Sequence, residues 1–175
     1  MRYCAFLRGV NVNSTSMKMA DVCKVVESVG IKEVSAVLAT GNILFSSEEN
    51  TTFLKEKLQK ALSVAFNYEA FLFLKYEEEV RNIVEHCPFE KTTESHIYIF
   101  LGNAGIEIEL LNQFSSCLNI STGEDAQISH NYFYWKVPKG NTLNSEFGKI
   151  LGKKSFKDQF TSRNINTLEK VLKKL

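Results

Sequence analysis

The sequence predicts an α+β protein made of two ferredoxin-like halves, each with the order β-α-β-β-α, packed together with helices on one face of mixed or antiparallel sheets. Two observations predict this class. Short apolar runs typical of strands alternate with apolar stripes at three- and four-residue spacing, which are typical of helices. The same order of elements occurs twice, in residues 1–88 and again in residues 89–175. We therefore expect two domains with this boundary, the second carrying a basic C-terminal segment.

In the first half, turn residues bound the apolar runs, and Ser, Thr or Asn precede the apolar stripes as helix caps. Between the two middle strands, Thr40-Gly41-Asn42 is a strong hairpin signal. The predicted elements are a strand at 2–7, a helix ending near 29, strands at 34–39 and 43–46, a helix from 50 to about 66, a strand at 70–74 and a helix at 76–86.

The second half repeats this order, and His130-Asn131 supplies another tight hairpin signal. The polar and basic segment 152–166 is predicted to be a loop that docks through Phe156 and Phe160. The predicted elements are a strand at 96–101, a helix at 107–117, strands at 126–129 and 132–137, a helix from 141 to about 151 and a terminal helix at 167–175.

The composition is that of a globular protein, with 44% hydrophobic and 23% charged residues, which excludes a disordered chain. The first apolar run, residues 3–7, is too short for a secretory signal, and no run approaches the ~20 residues of a membrane span. We therefore expect a cytoplasmic protein with no membrane partner. The four cysteines and three histidines show no zinc-site spacing, so no metal and no cofactor are predicted.

Charge is distributed unevenly along the chain. Residues 1–135 contain 11 Lys or Arg against 17 Asp or Glu, a net charge of −6, whereas residues 136–175 contain 10 against 3, a net charge of +7. Such a basic segment, beside the aromatic residues of 132–135, is one feature of nucleic-acid-binding surfaces. Strand alternation instead sends Phe133 and Trp135 to one face, which favours a buried role for these rings.

Standard catalytic signatures such as GxSxG, HExxH, the P-loop and GxGxxG are absent. The histidines lie at element ends or turns without motif-spaced partners, so we expect them to be structural. Three polar segments remain as candidate ligand-binding sites because core packing explains them least. Their candidate residues are Arg8, Asn11 and Asn13 after the first strand, Asn42 in the first hairpin, and Arg163, Asn164 and Asn166 before the last helix.

Each segment also has a structural interpretation. Arg8 would pair with a surface carboxylate, Asn42 would only shape its turn, and an Asn of the third segment would cap the last helix. In the functional interpretation, Arg guanidinium groups, Asn amides and backbone N–H groups at a helix start would bind an anion.

Four short motifs follow one another along the chain: Arg8-Gly9-Val10-Asn11-Val12, Ala39-Thr40-Gly41-Asn42-Ile43-Leu44-Phe45, Trp135-Lys136-Val137-Pro138-Lys139-Gly140 and Thr161-Ser162-Arg163-Asn164-Ile165-Asn166-Thr167. Taken together, they resemble the motifs of the bacterial DUF1697 family, a domain of unknown function with an SP0830-like fold. Asn13-Ser14 departs from the Gly-Gly that the family favours, and Ile165 departs from its Trp. The resemblance implies a pair of α+β subdomains and no particular reaction.

Three functions stay open from the sequence. The first is a binding module for an anionic ligand, which is a phosphate-bearing metabolite, a nucleotide or nucleic acid. The second is an enzyme acting on a phosphorylated or nucleotide substrate, although the sequence indicates no preferred acid or base. The third is a structural or regulatory protein whose Arg and Asn motifs only stitch the two halves together. The oligomeric state is not indicated.

Overall fold

A computed structural model describes residues 1–10 and 17–175 of the chain. The strands are β1 (Arg2–Arg8), β2 (Lys32–Ala36), β3 (Asn42–Ser46), β4 (Phe71–Tyr76), β5 (Ser95–Gly102), β6 (Asp125–Ser129), β7 (Tyr132–Pro138) and β8 (Phe160–Asn164). The helices are α1 (Met19–Ser28), α2 (Thr51–Phe66), α3 (Glu77–Glu85), α4 (Ile106–Ser115), α5 (Glu146–Leu151), α6 (Ile165–Leu172) and a 3-10 helix at Lys154–Phe156.

The described residues form two compact units. Unit 1 contains residues 1–81 together with 169–175, and unit 2 contains residues 82–168. No helix in these described parts has the length and apolar character that crossing a membrane requires.

The sheet of unit 1 has the strand order β2-β3-β1-β4, and every neighbouring pair is antiparallel. Strand β1 is central and buried at every position from Tyr3 to Leu7. One face of the sheet packs against α1 and α2 through a core of aliphatic and aromatic side chains. As predicted, Asn50 caps α2, since its Oδ1 atom accepts the Thr52 N–H at 2.9 Å.

The sheet of unit 2 has the equivalent order β6-β7-β5-β8, again antiparallel throughout. Its core is rich in aromatic rings, with Phe147 contacting Phe114, Phe133 and Trp135 at centroid distances of 5.2 to 5.6 Å. The buried state of Phe133 and Trp135 confirms the alternation argument for β7. The two similar antiparallel sheets confirm the predicted α+β class.

Strand β8 lies where the sequence predicted a docking loop. Its composition, Phe-Thr-Ser-Arg-Asn, is too polar to resemble a strand, and its regular structure comes from pairing with β5. The strand completes unit 2 as a β-α-β-β-α-β arrangement, which matches the order of unit 1 more fully than the sequence indicated. Phe156 and Phe160 are buried, as expected for anchors.

Helix α5 also differs from the prediction, because it begins after Ser145 rather than at Asn141. The Ser145 hydroxyl oxygen accepts the Gly148 N–H at 2.9 Å and is therefore the N-cap. The preceding residues turn back towards the helix, since a Cβ atom on Gly148 would lie 1.9 Å from the Thr142 carbonyl oxygen. Only a glycine at this helix position permits so close an approach.

Candidate functional site

The first predicted segment begins at Arg8, the half-buried last residue of β1, which pairs with Phe71 of β4. Asn11 and Asn13 lie outside the described residues. Their assignment to a ligand site therefore stays a prediction.

The Asn42 side chain makes hydrogen bonds within the hairpin in which it lies. Its side chain is fully buried, and its Nδ2 atom donates to the Val37 carbonyl and to the Thr40 hydroxyl, both at 2.9 Å. The Val37 N–H in turn donates to the Asn42 carbonyl at 2.9 Å. These bonds agree with the interpretation in which Asn42 shapes the turn between β2 and β3.

Arg163 is buried in β8, with 9% of its surface exposed. Its Nη1 atom donates to the Thr161 hydroxyl and to the Ser162 carbonyl, both at 2.8 Å. A buried guanidinium needs such partners, because removing its charge from water is costly. At least part of its hydrogen-bonding capacity thus serves the strand itself.

We expect Arg163→Met to lower the free energy of unfolding by about 2 kcal/mol, because it removes two buried hydrogen bonds to a charged group. The measurement is urea unfolding followed by circular dichroism. Arg81→Met is the matched control, since Arg81 is part-exposed and paired with Glu77 at 2.7 Å, an arrangement worth about 0.5 kcal/mol. Equal stability of the two variants would show that the fold does not depend on the Arg163 guanidinium.

A cavity of about 300 Å³ lies where the start of β5 meets the junction of β8 and α6. Because β8 runs antiparallel to β5, with Asn164 beside Tyr98, the end of β8 is brought next to the first residues of β5. The cavity is lined by Lys91, Thr92, Thr93, Ser95, His96, Ile97, Asn164, Ile165 and Asn166. Two predicted ligand-binding residues, Asn164 and Asn166, are therefore brought together in unit 2.

Asn164 connects the start of α6 to His96. Its Oδ1 atom accepts the Asn166 backbone N–H at 3.0 Å, so its Nδ2 atom faces the Nδ1 atom of His96 at 3.2 Å. A backbone N–H can only donate, which fixes the orientation of the amide. Nδ1 of His96 must then accept, and the neutral imidazole carries its proton on Nε2.

The lining of the cavity is rich in hydrogen-bond donors. Lys91 supplies an ammonium group, three residues supply hydroxyls, and the N-terminus of α6 contributes the positive end of the helix dipole. No carboxylate is among these lining residues. Neighbouring Glu94 accepts a short hydrogen bond from the Thr93 hydroxyl, and this bond lowers the pKa of the exposed Glu94 carboxyl.

The lining contains one ammonium group and no carboxylate. In the described parts of the chain, no group of three or more His, Cys, Asp or Glu residues could hold a metal ion. Two of the lining donors are already engaged, since the Thr93 hydroxyl donates to Glu94 and the Asn164 amide donates to His96. The Lys91 ammonium and the Ser95 hydroxyl are further donors of the lining.

Sequence reasoning did not single out Lys91, Ser95 or His96, which line the cavity, and it expected a structural role for His96. One signal in the sequence could have indicated these residues, namely the polar run Lys-Thr-Thr-Glu-Ser-His directly before an apolar strand. Polar residues at the start of a strand are exposed at the edge of the sheet, where a ligand can reach them. Its relation to Asn164, 68 residues further on, depends on β8, which the sequence did not indicate.

These observations define the class: a protein of two ferredoxin-like units with a donor-lined cavity in the second. The chain belongs to the family described as "Protein of unknown function (DUF1697)", whose model matches residues 1–134. This membership confirms the resemblance carried by the short motifs. Asn164 and Asn166 lie beyond the matched residues.

Among solved structures, the chain is similar to the conserved bacterial protein SP0830 from Streptococcus pneumoniae. The two share 22% sequence identity with a TM-score of 0.78, over 99% of this chain and 97% of that one. At this identity, the likeness demonstrates the shared fold. No curated protein matches the chain.

Proposed function

We propose that the protein binds a small anionic ligand, a phosphate-bearing metabolite or nucleotide, in the cavity at the start of β5. The observation that carries the proposal is the lining, which includes an ammonium group, an imidazole, hydroxyls and amides and no carboxylate. Phosphate oxygens accept hydrogen bonds from each of these groups.

The size of the cavity favours a small ligand. About 300 Å³ is at the lower end of the range for metabolite sites, and it would accommodate a phosphate group with a short attached moiety. A nucleic-acid strand would instead use a longer basic groove with stacking rings. Of the aromatic residues 132–135 suggested for stacking, Phe133, Tyr134 and Trp135 are buried.

The hydrogen bond from Asn164 determines which ring nitrogen of His96 is a donor. With its Nδ1 atom accepting from Asn164, neutral His96 offers Nε2–H as a donor, which suits an anionic oxygen. Lys91 is exposed at the rim of the cavity, where its flexible side chain can meet an entering phosphate as a point charge.

We expect Lys91→Ala to weaken binding of the anion by about 10-fold or more, since a charge-assisted hydrogen bond contributes about 1.5–3 kcal/mol. The measurement is isothermal titration calorimetry with inorganic phosphate, a nucleoside monophosphate and a short single-stranded oligonucleotide as separate titrants. Salt is held constant, because electrostatic binding depends on it.

Lys24→Ala is the matched control, because it removes one positive charge from an exposed position of α1 in unit 1. The proposal requires the control to bind like the unaltered chain. It fails if the unaltered chain binds none of the titrants, or if the two lysine variants are indistinguishable. Tight binding of the oligonucleotide alone would instead favour a nucleic-acid ligand.

A second candidate function, an enzyme acting on a phosphate ester, is favoured by the position of His96. This histidine lines the cavity beside Asn164, and its Nε2–H could donate a hydrogen bond to a leaving-group oxygen and stabilise the negative charge that develops there. Among the lining residues, however, no carboxylate or thiol is present to act as a partner base or nucleophile.

A turnover assay distinguishes the enzymatic function from ligand binding alone. In the enzymatic case, we expect the unaltered chain to hydrolyse p-nitrophenyl phosphate, and His96→Phe to lower kcat by about 100-fold or more, which is typical of losing one donor to a developing oxyanion. In the binding case, the same variant changes affinity alone. Absence of turnover across a panel of phosphate esters would exclude the enzymatic function for those substrates.

A further inference from the structure

Two histidines that the cavity does not use lie against each other in unit 2. His86 follows the end of α3, and His130 is the first residue of the turn between β6 and β7. Their ring centroids are 3.7 Å apart, with an interplanar angle of 40°. Both side chains are exposed, so neither ring is held there by burial in the core.

The hydrogen bond of His86 fixes which of its nitrogens is available. Its Nδ1 atom lies 2.9 Å from the Asn82 carbonyl oxygen, which can only accept. The proton of the neutral ring is therefore on Nδ1, and Nε2 presents a lone pair. Histidines that bind metals show this same arrangement, in which the second ring nitrogen donates to a carbonyl, a carboxylate or water.

His130 has a comparable oxygen partner. Its Nδ1 atom lies 3.1 Å from the Ser129 hydroxyl, which can accept a proton donated by that nitrogen. The backbone of the turn is left-handed at both central residues, with φ of 48° at His130 and 64° at Asn131, as a type I′ hairpin requires. The strand pair of β6 and β7 thus holds His130 beside His86.

The pairing needs an explanation beyond ring contact. Two exposed imidazoles facing each other gain little from burial, so hydrophobic packing does not account for the pairing. A shared cation with a preference for imidazole nitrogen would use one lone pair of each ring. Zn²⁺, Cu²⁺ and Ni²⁺ have this preference, whereas Mg²⁺ and Ca²⁺ favour oxygen ligands.

We propose that His86 and His130 together bind one divalent transition-metal ion through their Nε2 atoms, with water in the remaining positions. Each Nε2 atom would lie about 2.0–2.1 Å from the ion, and because both side chains are exposed the rings can part far enough to admit it. Two protein ligands make an open site of modest affinity. Such a site differs from the closed four-ligand centres that stabilise small folds.

Tag-free protein titrated with Cu²⁺ and, separately, with Zn²⁺ by isothermal titration calorimetry tests the proposal. We expect one ion per chain for the unaltered protein. His86→Gln and His130→Gln should each weaken binding by about 10-fold or more, since loss of an outer partner alone costs about 10–100-fold. Ser129→Ala, which removes only the oxygen partner of His130, should weaken it by about 10-fold.

His96→Gln is the matched control, because the chain has three histidines and this one belongs to the other cavity. Electron paramagnetic resonance of the Cu²⁺ complex should show two imidazole nitrogens in the unaltered protein and one in each single variant. Binding should also fall as the pH drops, because protons compete for the ring nitrogens. The proposal is overturned if the unaltered chain binds no ion, or if the variant lacking both histidines binds like His96→Gln.

Discussion

Asn42→Asp is expected to lower the free energy of unfolding by about 3–5 kcal/mol, the range found when a buried charge loses its compensation. The Asn42 amide is fully buried and donates to the Val37 carbonyl and the Thr40 hydroxyl. A carboxylate of the same shape has no proton to donate, so its oxygen would face the Val37 carbonyl oxygen at a fully buried position.

Urea unfolding at neutral pH measures this effect, and Asn50→Asp is the matched control. Asn50 caps α2, where aspartate is an equally good cap and complements the helix dipole, so the control should change little. Burial raises the pKa of the carboxyl introduced at position 42. The loss of unfolding free energy in Asn42→Asp should therefore become smaller as the pH falls and the carboxyl regains a proton. An unaltered stability would show that the hairpin does not need this amide, and would strengthen a ligand role for it.

Gly148→Ala is expected to lower the free energy of unfolding by about 3 kcal/mol, although helix propensity alone predicts a gain of about 1 kcal/mol. The added Cβ atom would lie 1.9 Å from the Thr142 carbonyl oxygen and 3.0 Å from the Ser145 hydroxyl oxygen. Because the first contact is with backbone, the segment before α5 must move away. The helix cap at Ser145 would be disturbed with it.

Gly152→Ala provides the comparison for this effect. Gly152 ends α5 with φ of −79°, and a Cβ atom there would be 3.5 Å from the Lys149 carbonyl oxygen, an ordinary contact. Alanine should therefore be neutral or slightly stabilising at this position, because it restricts the unfolded chain. Thermal unfolding of both variants distinguishes steric crowding of the added Cβ atom from the helix propensity of alanine. Equal melting temperatures would show that the loop before α5 does not approach Gly148 so closely.

Local signals explain why most of the fold was predictable from the sequence. The turn at His130-Asn131 depends on two adjacent residues that tolerate positive φ, and Asn50 caps α2 through a residue two positions away. Apolar stripes and runs depend on equally short spacing, and hydrophobic burial turns them into helices and strands.

Strand β8 could not be predicted in the same way, because its structure depends on a partner far away in the chain. It pairs with β5 in a register that places Phe160 opposite Gly102. A Cβ atom on Gly102 would lie 2.5 Å from the Gln159 carbonyl oxygen, so the approach of the two strands depends on that glycine. Neither strand alone shows this dependence.

The cavity also depends on the pairing of β8 with β5. The polar segment before the last helix predicted Asn164 and Asn166, whereas Lys91 and His96 line the cavity with them only through the pairing of β8 with β5. A lone histidine at a strand start carries no signal of its own, and the sequence accordingly favoured a structural role for it. Its bond to Asn164 joins residues that no short-range pattern connects.

The division of the chain has a consequence for its synthesis on the ribosome. Residues 169–175 belong to unit 1, although all of unit 2, residues 82–168, is translated between the two parts of unit 1. At about 5–20 residues per second, this leaves a delay of about 4–17 s. During that interval the Arg2 guanidinium lacks the Lys174 carbonyl to which it donates at 3.1 Å in the finished protein. Translation therefore starts with unit 1, and the chain of unit 1 is complete only after all of unit 2 has been translated.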